Sequence, residues 1–194
     1  MDLVTRLFGS RRVLVPVTVG VIALLIGGLF AYITIRDSGG QQKTSAPEVE
    51  TRGFVSRRGG YALDVPRDLK VARNGRTTRF TARDKSLVVT VGPGESGPLR
   101  PASRRFLRSL DQGYQDVRVL ARETERIDGQ PARISFGQAR NARDVRLRFV
   151  AAMIRHQPRN YTITAFTAFD SDPRVVLPQV NAIVNSFEVR ARKR

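Results

Sequence analysis

The chain has no cysteine, no tryptophan and one histidine, His156, among its 194 residues. Without cysteine there is no disulfide, no thiol nucleophile, no thiolate-held zinc or iron–sulfur cluster, and no N-terminal cysteine to carry a lipid. A single histidine leaves no pair for a histidine metal site and little for a hydrolytic triad. Lysine is scarce too: Lys43, Lys70, Lys85 and Lys193 are the only ones, so arginine supplies nearly all of the 34 basic side chains. Aromatic residues make up 7%. They are not interleaved with the arginines, which argues against nucleic acid as a partner, because single strands are held by stacking on aromatic rings.

Positive charge is abundant. The 34 basic residues face 17 acidic ones, for a formal net charge of +17. One reading is an anionic partner such as phospholipid headgroups or an acidic polymer. The other is a compositional preference for arginine spread over a solvated surface, as in a GC-rich genome. The scatter of the arginines favours the second.

Residues 13–35 read VLVPVTVGVIALLIGGLFAYITI and carry no charge. At 1.5 Å per helical residue the run rises about 34 Å, enough for a hydrocarbon core of about 30 Å. Arg11-Arg12 stop it on one side and Arg36-Asp37 on the other. The run is longer than the apolar region of a signal peptide and no A-x-A site follows it, so it reads as a retained transmembrane helix. Residues 1–12 are then a cytoplasmic segment and 36–58 a polar, flexible tether. Such a spacer points to an N-in, C-out topology in a plasma membrane, with the folded part extracytoplasmic; a cytoplasmic domain is the alternative. Ala23, Gly27 and Ala31 recur every four residues and share one helical face. Small residues so spaced permit close helix–helix packing in a membrane, although they are common in such helices generally.

Beyond the tether the pattern turns to period two. Tyr61 to Val65 alternates and ends at Pro66, Arg79 to Ala82 is a short strand, and Ser86 to Val91 is a β-branched, central one. From about Ala102 the period is helical, with Phe106, Leu107, Leu110 and Tyr114 in one stripe and Ser103 available as a cap. Val117 to Ile127 returns to strand, with Val117, Val119 and Ala121 on one parity. Asp128-Gly129 predicts a hairpin into Ala132 to Gln138. Val145 to Met153 and Tyr161 to Phe169 are further strands. Asp172-Pro173 opens a last helix whose regular part is expected from near Leu177, with Val176, Val180, Ile183, Val184 and Phe187 as its apolar stripe. The sum is an α+β fold: a largely antiparallel sheet flanked by two helices, over residues 59–189, with 190–194 a basic tail.

Four phrases carry a resemblance: Gly60-Tyr61-Ala62-Leu63-Asp64-Val65-Pro66, Asp128-Gly129-Gln130-Pro131-Ala132, Asn160-Tyr161-Thr162-Ile163-Thr164 and Ile183-Val184-Asn185-Ser186-Phe187. Over residues 61–187 the chain resembles the PsbP-like superfamily, and within it actinobacterial envelope proteins of the LpqN lipoprotein type. The resemblance implies a helix-flanked sheet and an accessory or binding role rather than catalysis. The lipoprotein cysteine is missing, so the helix would serve as anchor. No metal ligand of that superfamily maps onto this sequence.

The chemistry in the sequence is sparse. Gly92-Pro93-Gly94-Glu95-Ser96-Gly97 matches G-x-G-x-x-G, with Asp116 about twenty residues on, yet Pro98 and Pro101 intervene before the helix and hairpins surround it. It reads as a flexible loop rather than a dinucleotide site. His156 sits in a polar turn. Asp170 and Asp172 precede a helix and read as caps; Asp64, Asp68 and Asp84 have no spacing that pairs two carboxylates. No catalytic residue, metal or cofactor is assigned, and the expectation is a protein that is not an enzyme. The foremost binding candidate is Arg140, Arg143, Arg146 and Arg148, bunched about one turn and on the exposed parity of a strand, a set able to hold phosphate or carboxylate. Arg100, Arg104, Arg105 and Arg108 form a second group on the outer side of the first helix. The expected partner is a larger membrane protein complex, which the domain serves as accessory or scaffold, with an anionic lipid as a further ligand. The alternative function is a lipid or glycolipid carrier with a pocket between sheet and helix.

Overall fold

The computed structural model describes residues 49–156 and 159–190. The apolar run 13–35, with Ala23, Gly27 and Ala31, lies outside them. Among the described residues no helix is long and apolar enough to cross a membrane.

The element order is β1 (Thr51–Ser56), β2 (Tyr61–Pro66), β3 (Lys70–Asn74), β4 (Thr77–Thr81), β5 (Leu87–Pro93), α1 (Leu99–Ser109), a 3-10 turn (Leu110–Gln112), β6 (Gln115–Ile127), β7 (Gln130–Arg140), β8 (Arg146–His156), β9 (Arg159–Ala168), α2 (Pro173–Asn185) and β10 (Glu188–Val189). Seven strands form one sheet in the order β3-β4-β5-β9-β8-β7-β6, and β1-β2-β10 form a second. Every pairing is antiparallel. α1 covers one face of the large sheet; α2 and the small sheet cover the other. This is the antiparallel, helix-flanked α+β architecture that the alternation predicts.

Several elements depart from the sequence pattern. Thr51–Ser56, within the stretch assigned to the tether, is a strand: it pairs along its whole length with β2, and Phe54 packs edge-on against Phe80, 5.1 Å between centroids. β3 was invisible because its residues are almost all exposed, so main-chain pairing to β4 holds it. α1 starts at Leu99 rather than near Ala102, and Ser103 is buried inside the helix instead of capping it. Pro101 is tolerated because the first helical N–H groups have no intrahelical acceptor. α2 starts at Pro173, not Leu177, and continues through Pro178. Asp172 caps it as expected, its carboxylate accepting from the Arg174 N–H at 2.8 Å.

The Asp128-Gly129 hairpin forms as read. Both residues adopt positive φ, 51° and 68°, which gives the primed turn that a two-residue hairpin needs. β6 breaks its own parity. A register shift between Val119 and Ala121 leaves Val117 and Val119 against α1 but turns Ala121 to the opposite core. A bulge inserts one residue, and one residue reverses every later side chain.

The main core lies between the large sheet and the α2/small-sheet layer. At its centre Phe187 is stacked on Tyr61, 5.8 Å between centroids, and inclined to Tyr161 at 5.6 Å. The Tyr61 hydroxyl is held between Thr78 Oγ1 (2.7 Å) and the Val91 carbonyl (3.1 Å). Burial raises the Tyr61 phenol above its ordinary value of 10.0, with the Thr78 hydrogen bond opposing part of the rise. Burial raises Tyr114 and Tyr161 as well. A phenol whose folded pKa exceeds its unfolded one favours the fold below the unfolded pKa and loses that contribution as pH climbs through the folded one. Stability should therefore fall above about pH 10. The check is the urea midpoint against pH, with tyrosinate absorbance in the native protein rising at higher pH than in unfolding urea.

Candidate functional site

The fold brings three of the four sequence-predicted arginines to neighbouring positions, Arg140 on β7 directly opposite Arg146 on β8 and Arg148 two residues further along β8. Arg140 is engaged by Asp144 (2.7 Å) and Asp116 (3.3 Å), which raise its pKa, the Asp144 hydrogen bond most of all. Arg143 is exposed in the turn where Asn141 Oδ1 accepts from the Arg143 and Val145 N–H groups. Arg146 and Arg148 share a parity on β8 and both guanidinium carbons lie over the Phe169 ring, 4.0 and 4.4 Å from its centroid. Burial, then the neighbouring Arg146, lowers the Arg148 pKa. These arginines are thus spread between carboxylate pairing and ring stacking on one side of the sheet.

The glycine-rich loop is tied down rather than flexible. The Gly94 N–H donates to the Asn160 carbonyl (2.8 Å), and the Asn160 amide donates to the carbonyls of Glu95 and Gly97. Arg105 adds bonds to Glu95 and the Ser96 carbonyl. Gly94 lies close against Thr162 of β9 and Gly92 against Thr77 of β4, and the neighbouring strands are antiparallel, so the parallel strand–helix–strand unit of a dinucleotide site is not formed. His156 ends β8 with its ring 6.2 Å from Tyr161. Among the described residues no three of His, Cys, Asp and Glu gather in a way that would hold a metal ion.

A pocket between sheet and α2, lined by Arg148, Val150, Thr167, Pro173, Val176 and Val180 among others, has a volume of about 10 Å³. That is room for one water.

The spacious concavity lies on the other face. α1 carries the chain from β5, mid-sheet, to β6 at the edge, and packs on β7 and β8. A helix about 10 Å across covers roughly two strands at 4.8 Å spacing, so β6 is left overhanging. The gap between α1 and that overhang is an open groove of about 800 Å³. Its floor is Leu107, Val117 and Val119. Its walls are Arg100, Arg104 and Arg108, four residues apart on one helical face, and Arg122 from β6. Asp111 is a carboxylate on its lining.

The groove's electrostatics are one-sided. Among the described residues Arg100, Arg104, Arg108, Arg122 and Arg133 enter none of the ion pairs, whereas Arg105 at the groove's end is paired with Glu95 at 3.4 Å. Half-buried Arg133 on β7 has its pKa lowered by burial first and then by Arg100, Arg122 and Arg104. α1 has no acidic residue in its first turn and carries Arg100 there, so the positive end of the helix dipole adds to the cluster. Like charges four residues apart cost a helix about 0.2–0.5 kcal/mol a pair, so stability alone does not select this arrangement.

The helix members of this groove are visible in the sequence as every fourth residue. Arg122 and Arg133 are not. They join because the β6 bulge turns Arg122 to the α1 face and the hairpin sets Arg133, opposite Thr124, diagonally across from it.

Comparison of the chain with protein-family models gives no match, and no curated protein sequence matches either. Solved structures do. Cyanobacterial PsbP (CyanoP) from Synechocystis superposes with a TM-score of 0.57 at 16% identity, over 79% of this chain and 99% of that one. The Ran-binding protein Mog1p of Saccharomyces cerevisiae gives 0.57 at 13%, over 73% and 96%. LpqN, involved in cell envelope biogenesis of Mycobacterium tuberculosis, gives 0.49 at 11%, over 81% and 95%, too loose a likeness to add to the assignment. The domain therefore has the fold shared by PsbP and Mog1p.

Proposed function

We propose that the protein is a membrane-anchored, non-enzymatic accessory subunit whose PsbP-like domain lies outside the cytoplasm and docks on a larger membrane assembly of the cell envelope. The observation that carries this reading is where the concave space lies. The interior under α2 holds about one water, while an arginine-walled groove of about 800 Å³ opens on the surface. Such a domain is built to meet a partner with its surface rather than to enclose a ligand. The pocket under α2, where the carrier alternative would place its ligand, is too small for an acyl chain. Mog1p, which has this fold, is itself a Ran-binding protein, so the scaffold is compatible with a protein partner. The uncharged run 13–35 supplies the anchor, and Ala23, Gly27 and Ala31 supply a face for a partner helix. Tethering raises the local concentration of the domain, so weak surface contacts suffice.

The test uses the full chain in its native membrane. Alkaline carbonate should leave it in the pellet, and protease added to intact cells should remove the folded domain. On a native gel in mild detergent it should migrate in a particle larger than itself. Release by carbonate would remove the anchor, protection from protease would reverse the topology, and migration as the lone chain would remove the docking.

A further inference from the structure

We propose that the α1–β6 groove seats an extended, acidic segment of the docking partner, with carboxylates at alternate residues against Arg100, Arg104 and Arg108 and small apolar side chains between them against Leu107, Val117 and Val119. The proposal rests on the docking reading and names the chemistry of its contact.

The spacing is the first argument. Arginines four residues apart along a helix recur every 6 Å or so. An extended chain presents same-face side chains about every 6.6–6.8 Å. The mismatch is below about 1 Å per step, well within the reach of an arginine side chain. A Glu or Asp at every second residue therefore meets one guanidinium each, with the planar fork suited to carboxylate. Arg122 closes the opposite wall, and Arg133 behind it adds to the potential. Asp111 is the one acidic group that such a segment must avoid, and it lies in the 3-10 turn at one end of α1.

The floor is the second argument. Leu107, Val117 and Val119 line the groove between the arginines. Val117 and Val119 are two residues apart on a strand, the period of an extended ligand. Apolar residues at the alternate positions would bury against them.

The width is the third. Packed helices lie roughly 8–10 Å apart, so a helix beside α1 would be centred about two strand spacings out, at or past the sheet's edge, with little floor beneath it. One extended chain fits over β6. A membrane surface is flat and meets a convex face more readily than this concave one.

The test measures fluorescence anisotropy with the full chain in detergent at moderate salt. One labelled probe is a peptide of Glu and Val in strict alternation; another has the same composition in two blocks. The alternating peptide should bind at least about tenfold more tightly, a difference of about 1.4 kcal/mol. Arg104→Glu with Arg122→Glu should weaken it at least about tenfold, and so, to a smaller degree, should the milder Arg100→Gln with Arg108→Gln. Arg57→Glu with Arg58→Glu, exposed in the β1–β2 turn of the small sheet on the opposite side, should leave it within about twofold; circular dichroism checks that each variant is folded. Equal losses at both places, or no preference for alternation, would overturn the proposal. So would binding of phosphatidylglycerol vesicles that the groove variants abolish while neither peptide binds. If the wild type enters the native particle and Arg104→Glu with Arg122→Glu still does, the groove assignment fails and docking stands. If the wild type enters no particle, docking itself fails.

Discussion

Replacing Phe187 by alanine should lower the unfolding free energy by about 3–5 kcal/mol, a large part of the 5–15 kcal/mol typical of a domain. The ring is 0% exposed. It follows α2, stacks on Tyr61 of β2 and leans on Tyr161 of β9, so three elements share it. Tyr161 in turn reaches the Gly59 carbonyl at 3.2 Å, and Glu188 and Val189 beyond Phe187 pair with β2. Truncation would leave a cavity walled by two phenol rings whose hydroxyls are already committed, so collapse into the space would break hydrogen bonds. Full transfer and cavity costs are then expected. In urea the midpoint should drop by about 2 M for a slope near 2 kcal/mol/M. Phe187→Leu should cost less than half as much. A fall of under 1 kcal/mol for the alanine variant would show that the small sheet and α2 are held elsewhere.

How this region reads in the sequence shows what pattern alone conveys. Phe187 follows from the stripe of Val176, Val180, Ile183 and Val184, because one buried helix face repeats at 3.6 residues. β5, β7, β8 and β9 are legible for the same kind of reason: each is buried on one or both faces, and burial writes a period into the residues. Elements that bury little write none. β3 is nearly all exposed, β1 buries only Phe54 and Ser56, and β10 is two residues long. Main-chain hydrogen bonds hold them, and those are blind to side-chain identity. Each helix begins before its regular apolar pattern does, and each carries a proline among its early residues. Pro101 lies in a first turn where its missing N–H costs nothing, and Pro178 is carried by a helix whose stripe is already buried.

The groove was legible in half. Arg100, Arg104 and Arg108 declare a common face by spacing. Their conversion from a solvated stripe into one wall of a groove depends on which strands α1 covers, a matter of topology. It depends also on the bulge, which reverses β6 after Val119 and so aims Arg122 at α1. The arginines first favoured, Arg140 to Arg148, are the denser cluster in sequence. In space Asp116, Asp144 and Phe169 engage three of them. Proximity along the chain measures neither pairing nor concavity.

The bulge has its own support, and disturbing it is the second large expected effect. Gly137 on β7 pairs with Val119 and Phe149. A Cβ at this position would overlap both the Arg118 carbonyl oxygen and the Phe149 ring, which lies across the glycine. Gly137→Ala gains about 0.4–1 kcal/mol by stiffening the unfolded chain but must push strand β6 or the ring under α1. Overpacking of this kind costs about 1–3 kcal/mol, more for Gly137→Val, so the net change should be destabilising. A double-mutant cycle identifies the cause. Phe149→Leu removes the ring atoms in the way while leaving the Arg118 carbonyl. The cost of Gly137→Ala should therefore be smaller in the Phe149→Leu background than in the wild type, with a coupling of about 0.5–3 kcal/mol. Additivity would show that the ring gives way freely and that the backbone contact alone decides. Because the displaced atoms belong to β6 and to the layer beneath Leu107, the same substitution should weaken the alternating peptide even under conditions where the protein stays folded. Loss of stability with undiminished binding would mean that the groove does not depend on the bulge.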